Sequence, residues 1–200
     1  MTLKLRTFVS NGIRFLAVLF LASAVASPAS AAVIDFESLA LDEFVTNQFA
    51  AEGVLFSNAV NLVAGISLFD IAFPPSSGTN VIAGLDLGPI EATFPLGVSL
   101  VGLQMTTALD ARVQFFDVLD ALLGEILVAP NIGSHTLVSF DSSSAIARVT
   151  IGDQWMGSAF FLTVDDFEFV ASAVPEPTVI VLMISGLIPI AAFHVLRRRR

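Results

Sequence analysis

The side chains of this sequence that could carry chemistry are mostly carboxylates. Asp165 and Asp166 interrupt an apolar run from Phe160 to Val170, and Glu37 follows Ile34 and Phe36 much earlier in the chain. If the later run is a strand, alternation places Phe161, Thr163, Asp165, Phe167 and Phe169 on one face, so Asp165 is expected to point toward the core. A buried carboxylate without partners is too costly to keep ionised. Two arrangements would satisfy it. In one, Asp165 joins Glu37 and Asp166 around a structural Ca2+, whose shell is built from carboxylate and carbonyl oxygens. In the other, N–H groups of a neighbouring loop donate to it. Arg112 and Arg148 are the only cationic side chains between residues 32 and 174.

The elements that must position these groups read as strands. Ile34 and Phe36 alternate with Asp35 and Glu37; Phe94, Leu96, Val98 and Leu100 alternate strictly. Further runs fall at Val54–Phe56, from Val113, at Ile126–Val128, at Leu137–Phe140 and at Ala147–Ile151. Breaks are expected at Pro74-Pro75-Ser76-Ser77-Gly78, Gly88-Pro89, Pro130-Asn131 and Asp141-Ser142-Ser143-Ser144, where the residue types supply turn geometry. The pattern predicts about eight or nine strands in an antiparallel, jelly-roll-like β-sandwich. Between Leu39 and Ala51, Leu41, Phe44, Val45, Gln48 and Phe49 sit at helical spacing, so a short helix competes there with a strand over 44–49.

Two other side chains invite a functional role. Trp155 is the single tryptophan, in Gly152-Asp153-Gln154-Trp155-Met156-Gly157, where it would serve as a platform for a sugar ring or fill the core. His135 is the only histidine before the C-terminal stretch, and cysteine is absent. That leaves little for Ser-His-Asp catalysis, thiol chemistry, disulfides or a nitrogen- or sulfur-ligated metal. Paired carboxylates of a polysaccharide hydrolase are the remaining catalytic option, and phosphate-loop and Gly-x-Ser-x-Gly signals are missing. The expectation is a noncatalytic protein.

Charge excludes another class. Of the 200 residues, 9 are Lys or Arg and 18 are Asp or Glu, but both ends are basic. Residues 32–174 hold 17 acids against two arginines, a net charge of about −15, which is unsuited to nucleic-acid phosphates. The same stretch stays about 54% apolar, more than two buried sheet faces require, which points to exposed apolar surface.

The two ends read as addresses. Residues 1–31 have Lys4, Arg6 and Arg14, an apolar run from Phe15 to Ala26, and small residues up to Ala31, the order of a secretory signal peptide. Residues 173–200 contain Pro175-Glu176-Pro177, an apolar stretch over 178–196 and the cluster Arg197, Arg198, Arg199 and Arg200. The 19 positions of that stretch make a helix of about 28 Å, enough to cross a bilayer, and the arginines favour the cytoplasmic side. The expected organisation is signal peptide 1–31, β-sandwich 32–172 and C-terminal signal 173–200.

That last segment, with its Ser185-Gly186 break, resembles the PEP-CTERM sorting signal of Gram-negative bacteria. The resemblance implies transient anchoring in the inner membrane, recognition by an exosortase at Pro175-Glu176-Pro177, and delivery to the cell surface or extracellular matrix. Such proteins are associated with exopolysaccharide, biofilm and floc formation, so an exopolysaccharide partner is implied too. Ile34-Asp35-Phe36-Glu37, Gly53-Val54-Leu55-Phe56-Ser57, Ser77-Gly78-Thr79-Asn80, Phe94-Pro95-Leu96-Gly97-Val98 and Val164-Asp165-Asp166-Phe167 also look like the bodies of PEP-CTERM proteins. The opening Phe-Glu and closing Asp-Asp are similar to galactose-binding-like jelly rolls, including carbohydrate-binding modules. That likeness implies that first and last strands meet around a structural calcium.

Overall fold

The computed structural model describes residues 31–85, 88–153 and 161–172. Residues 1–30 of the expected signal peptide 1–31, the expected C-terminal signal 173–200 and Trp155 lie outside the described residues. Among the described residues the structure is all-β, with antiparallel pairing throughout the named strands and no helix long and apolar enough to cross a membrane. The strands are β1 (Ala31–Ile34), β2 (Phe44–Val45), β3 (Leu55–Ser57), β4 (Ala59–Val63), β5 (Asn80–Gly84), β6 (Ile90–Thr107), β7 (Ala111–Phe116), β8 (Leu122–Val128), β9 (Thr136–Asp153) and β10 (Leu162–Ala171).

Hydrogen bonding runs β2-β4-β5-β10-β6-β9-β7-β8, with β1 beside β10 and β3 beside β6. Two 18-residue strands, β6 and β9, fold this continuous path into a sandwich. The first part of β6 pairs with β3 and with the end of β9, whereas its second part pairs with β10 and the start of β9. Their registers slip between Thr93 and Leu100, where both strands cross from one layer to the other. Gly97 makes the corner possible: its φ is +71°, and a Cβ there would come within 2.9 Å of the Ala145 Cβ.

Phenylalanines seal the layers together. Phe56 of β3 meets Phe167 of β10 edge-on at 5.3 Å, and Phe115 of β7 stacks on Phe140 of β9 at 4.3 Å. Phe36, Phe49 and Phe56 form a T-shaped trio closing one flank, an arrangement that suits the ring quadrupoles. On β7, Ala111, Val113 and Phe115 are buried while Arg112, Gln114 and Phe116 face out, the period-two pattern of a sheet with one wet face.

Four local expectations change. The helix over 39–51 does not form, because its backbone bonds leave the segment: Asn61 N–H donates to Glu43 O and Phe56 N–H to Thr46 O. Only Phe44 and Val45 remain as a strand. The serines at 142–144 are not a chain reversal but lie within β9, at its crossing between layers. Strand β5 escapes notice because it is buried along its whole length and shows no alternation, and its partner β4 is unanticipated as well.

The fourth change concerns Asp165. Val164 pairs with Ile82 and Met105, all in the core, so Asp165 lies on the other face, opposite Gln104. A bulge at Asp166, whose φ is 45°, then inserts one residue and returns Phe167 and Phe169 to the core. Phe161 is exposed rather than sharing their face. The meeting of first and last strands does occur, with Ile34 opposite Phe167 and Ala31 opposite Val170.

Candidate functional site

Asp165, Asp166 and Glu37 come together on one loop. The connection between β4 and β5 crosses the outer face of β10, and Asp165 is buried beneath it. One carboxylate oxygen of Asp165 accepts the N–H groups of Ser76 at 2.7 Å and Ser77 at 2.9 Å; the other accepts the Asp166 N–H at 2.7 Å. Asp166 accepts from the Ser77 hydroxyl at 2.6 Å. Two residues further along, Glu37 Oε1 accepts the N–H groups of Thr79 and Asn80, both at 2.7 Å. Gly78 bridges the two anchor points with φ +51°, and a Cβ there would lie 2.2 Å from Glu37 Oε1. The buried Asn80 amide completes the clamp by donating to Phe36 O and Leu39 O at 3.1 Å each.

The electrostatics follow from this geometry. Burial is the largest influence on the Asp165 carboxyl and pushes it above its ordinary value. The N–H bonds from Ser77 and Asp166 oppose that push, the Asp166 charge adds to it, and the Ser76 N–H opposes it again. A cation would need six to eight oxygens around it. Here the carboxylates face N–H donors, and among the described residues no three His, Cys, Asp or Glu side chains are grouped to hold a metal. The N–H donors of the second arrangement open to Asp165 are therefore in place.

A second constellation was not anticipated from sequence. It covers the outer face of the layer β3-β6-β9-β7-β8, where cross-strand register aligns Ser57, Glu91, Thr150, Gln114 and Glu125 in one row. The next row carries Leu55, Thr93, Arg148, Phe116 and Leu122, and Arg112 pairs with Gly152 and Leu127 on the other side. Both arginines of the domain are therefore here, far in register from Asp165. The Gln114 amide donates to Glu125 at 2.9 Å, and Arg112 approaches the same carboxylate at 3.4 Å with its Nε buried and without a hydrogen bond. Arg148 pairs with Asp120 and, at 3.6 Å, with Glu91, while its guanidinium lies 4.1 Å from the Phe116 ring centroid. Polar residues at alternate positions of β7 and β9 were a visible signal, but only the register shows that they share a face.

His135 is exposed, with Nδ1 3.4 Å from the Thr106 hydroxyl. Neither a protein-family profile nor a curated protein matches this sequence. Solved structures resemble the sandwich in outline. The K2 cleaved adhesin domain of Lys-gingipain is 12% identical over 70% of this chain and 99% of its own, with a TM-score of 0.48. The K1 adhesin domain of the same protein from Porphyromonas gingivalis W83 is 11% identical over 72% and 99%, at 0.46. A variant of the family 29 carbohydrate-binding module CBM29-2, complexed with mannohexaose, is 10% identical over 72% and 93%, at 0.45.

Two predictions follow from the clamp. Asp165→Asn keeps the shape but turns an acceptor into a donor facing an N–H, and is expected to cost about 1–3 kcal/mol in urea unfolding at neutral pH. Because the folded state holds a proton at Asp165 more tightly than the unfolded chain, this group's contribution is complete below the unfolded value and is lost as pH rises through the folded one. The advantage of wild type over Asp165→Asn should therefore grow from about pH 7 down to below about pH 4, the ordinary aspartate range. A constant difference would contradict the burial argument. Melting in millimolar calcium and in EDTA should give the same midpoint, and a calcium-dependent rise would show that the carboxylates recruit a metal after all.

Proposed function

We propose that this protein is an exported, noncatalytic β-sandwich, sorted through its PEP-CTERM-like tail to the cell surface or matrix, where it is a structural or binding component of the exopolysaccharide layer. The observation that carries the binding part is the outer polar face of β3-β6-β9-β7-β8, where Ser57 and Glu125 are exposed, Glu91 and Gln114 half-buried and Thr150 buried between them. At a strand spacing of about 4.8 Å, the row from Ser57 to Glu125 extends for about 19 Å. It offers hydroxyl, carboxylate and amide groups, with two guanidinium groups beside it, the mixture of donors and acceptors that sugar hydroxyls require.

Charge narrows the ligand. Arg112 and Arg148 are balanced on this face by Glu91, Asp120 and Glu125, so the surface lacks the free positive charge that a uronate polymer would seek. A neutral polysaccharide suits it better. The aromatic ring present, Phe116, is already covered by Arg148, so recognition here rests on hydrogen bonds more than on stacking.

Retardation in native gels containing neutral glucans or mannans, with alginate as the acidic comparison, tests the binding role. At least one neutral polymer should retard the protein, and Gln114→Ala with Glu125→Ala should weaken that binding about tenfold or more. Indifference to every neutral polymer would remove the binding role. For sorting, mass spectrometry of the protein recovered from its own cells should find everything beyond Pro175–Pro177 removed. A chain still ending at Arg200 would contradict exosortase processing.

A further inference from the structure

One end of the sandwich gathers three features whose apolar side chains the polar face does not use. The last residues of β10 lie there, with the Ser172 N–H donating to Gly97 O at 3.3 Å. The β6 corner at residues 95–97 lies there as well. So does the β7–β8 turn, because Phe116 is in register with Arg148, which is in register with Thr93. From these turns project Leu96, Val118 and Leu119, at 83%, 82% and 84% exposure the most exposed large apolar side chains among the described residues.

Both acids of the turn make polar contacts. Asp117 accepts the N–H groups of Leu119 at 2.8 Å and Ala121 at 2.9 Å, and Asp120 is paired with Arg148. The tip therefore presents exposed apolar side chains, with Asp117 held by N–H groups and Asp120, itself 71% exposed, paired with Arg148. Chain length supplies the occupant. Between Ser172 and the apolar stretch beginning at residue 178 there are only residues 173–177, which reach at most about 18 Å when fully extended. If that stretch spans a bilayer, the end of the sandwich bearing Leu96, Val118 and Leu119 is confined close to the membrane surface.

We infer that Leu96, Val118 and Leu119 form a lipid-facing edge that dips into the interface of the bilayer spanned by the tail. This rests on the anchoring part of the proposed function. Apolar tips on a tethered domain gain by leaving water, and the tether keeps the encounter local. A second group of exposed apolar residues, including Ile71 and Phe161, lies at the far end, where β10 begins, about 33 Å away along the strand, and provides the comparison.

The sequence has no cysteine, so single labels are unambiguous. Full-length Leu119→Cys, Leu96→Cys and Ile71→Cys, each carrying an environment-sensitive fluorophore, would be reconstituted into phosphatidylcholine vesicles doped with nitroxide-labelled lipid. Quenching at positions 119 and 96 is expected to exceed that at 71 at least threefold. Adding Val118→Ser to the Leu96→Cys protein should reduce the quenching at 96. Protein that fails to stay with the vesicles would overturn the anchoring reading and this inference with it. Protein that stays but quenches equally at all three positions would overturn the lipid-facing edge alone.

Discussion

Backbone N–H groups that leave water must find acceptors, and in this domain the demand is concentrated in the connection from β4 to β5. Where that connection crosses β10, four consecutive-region donors at Ser76, Ser77, Thr79 and Asn80 point inward. Asp165 and Glu37 answer them. Asp165 belongs to the last strand and Glu37 follows the first, so satisfying one loop also fixes the two ends of the domain against each other. The bulge at Asp166 is part of the same solution. It lets β10 aim a carboxylate outward under the loop and still return Phe167 and Phe169 to the core two residues later.

The second constraint is the pair of bent strands. Because β6 and β9 each serve both layers, the sheet path needs no separate crossover connection, and the corners must tolerate unusual geometry. Gly97 provides it on β6, and the serines at 142–144 provide it on β9, where slipped pairing leaves backbone groups that small polar side chains can satisfy; the Ser142 hydroxyl accepts the Ser144 N–H at 3.1 Å. The corner also determines which side chains share the outer face. Thr93 and Arg148 sit just before and just after the crossings, so the Arg148 network with Asp120, Glu91 and Phe116 is a product of where the strands bend.

Much of the fold was legible because single-strand physics governs it. The alternation in β7 reports directly which residues face inward, and the proline, glycine and asparagine breaks at 74–78, 88–89 and 130–131 are true connections. What was hidden depended on partners. The sequence 142–144 has turn chemistry but is held in a strand by its neighbour; the 39–51 segment has helical spacing but spends its backbone bonds on β3 and β4. Asp165 shows the same limit. Its parity within β10 reads as core-facing until a one-residue bulge, invisible in hydropathy, reverses it. The polar row from Ser57 to Glu125 draws one residue from each of five strands, so no local pattern could reveal it.

The distribution of charge explains how so acidic a domain holds together. With two arginines against 17 acids between residues 32 and 174, most carboxylates have no cation to meet. Asp35, Glu37, Glu43, Asp117 and Asp165 instead accept backbone N–H groups in turns and loops, and the Ala40 N–H, with the Gln48 amide, holds Glu43 below its ordinary value. Those acids act as structural acceptors and are already committed. The two arginines are both placed on one sheet face and bring Glu91, Asp120 and Glu125 with them. That face is therefore the one broad surface among the described residues where opposite charges, an amide and hydroxyls lie side by side. Under the proposed function, a surface assembled that way, in a protein otherwise stitched by carboxylate-to-backbone bonds, suits a neutral hydroxylated polymer better than a charged one.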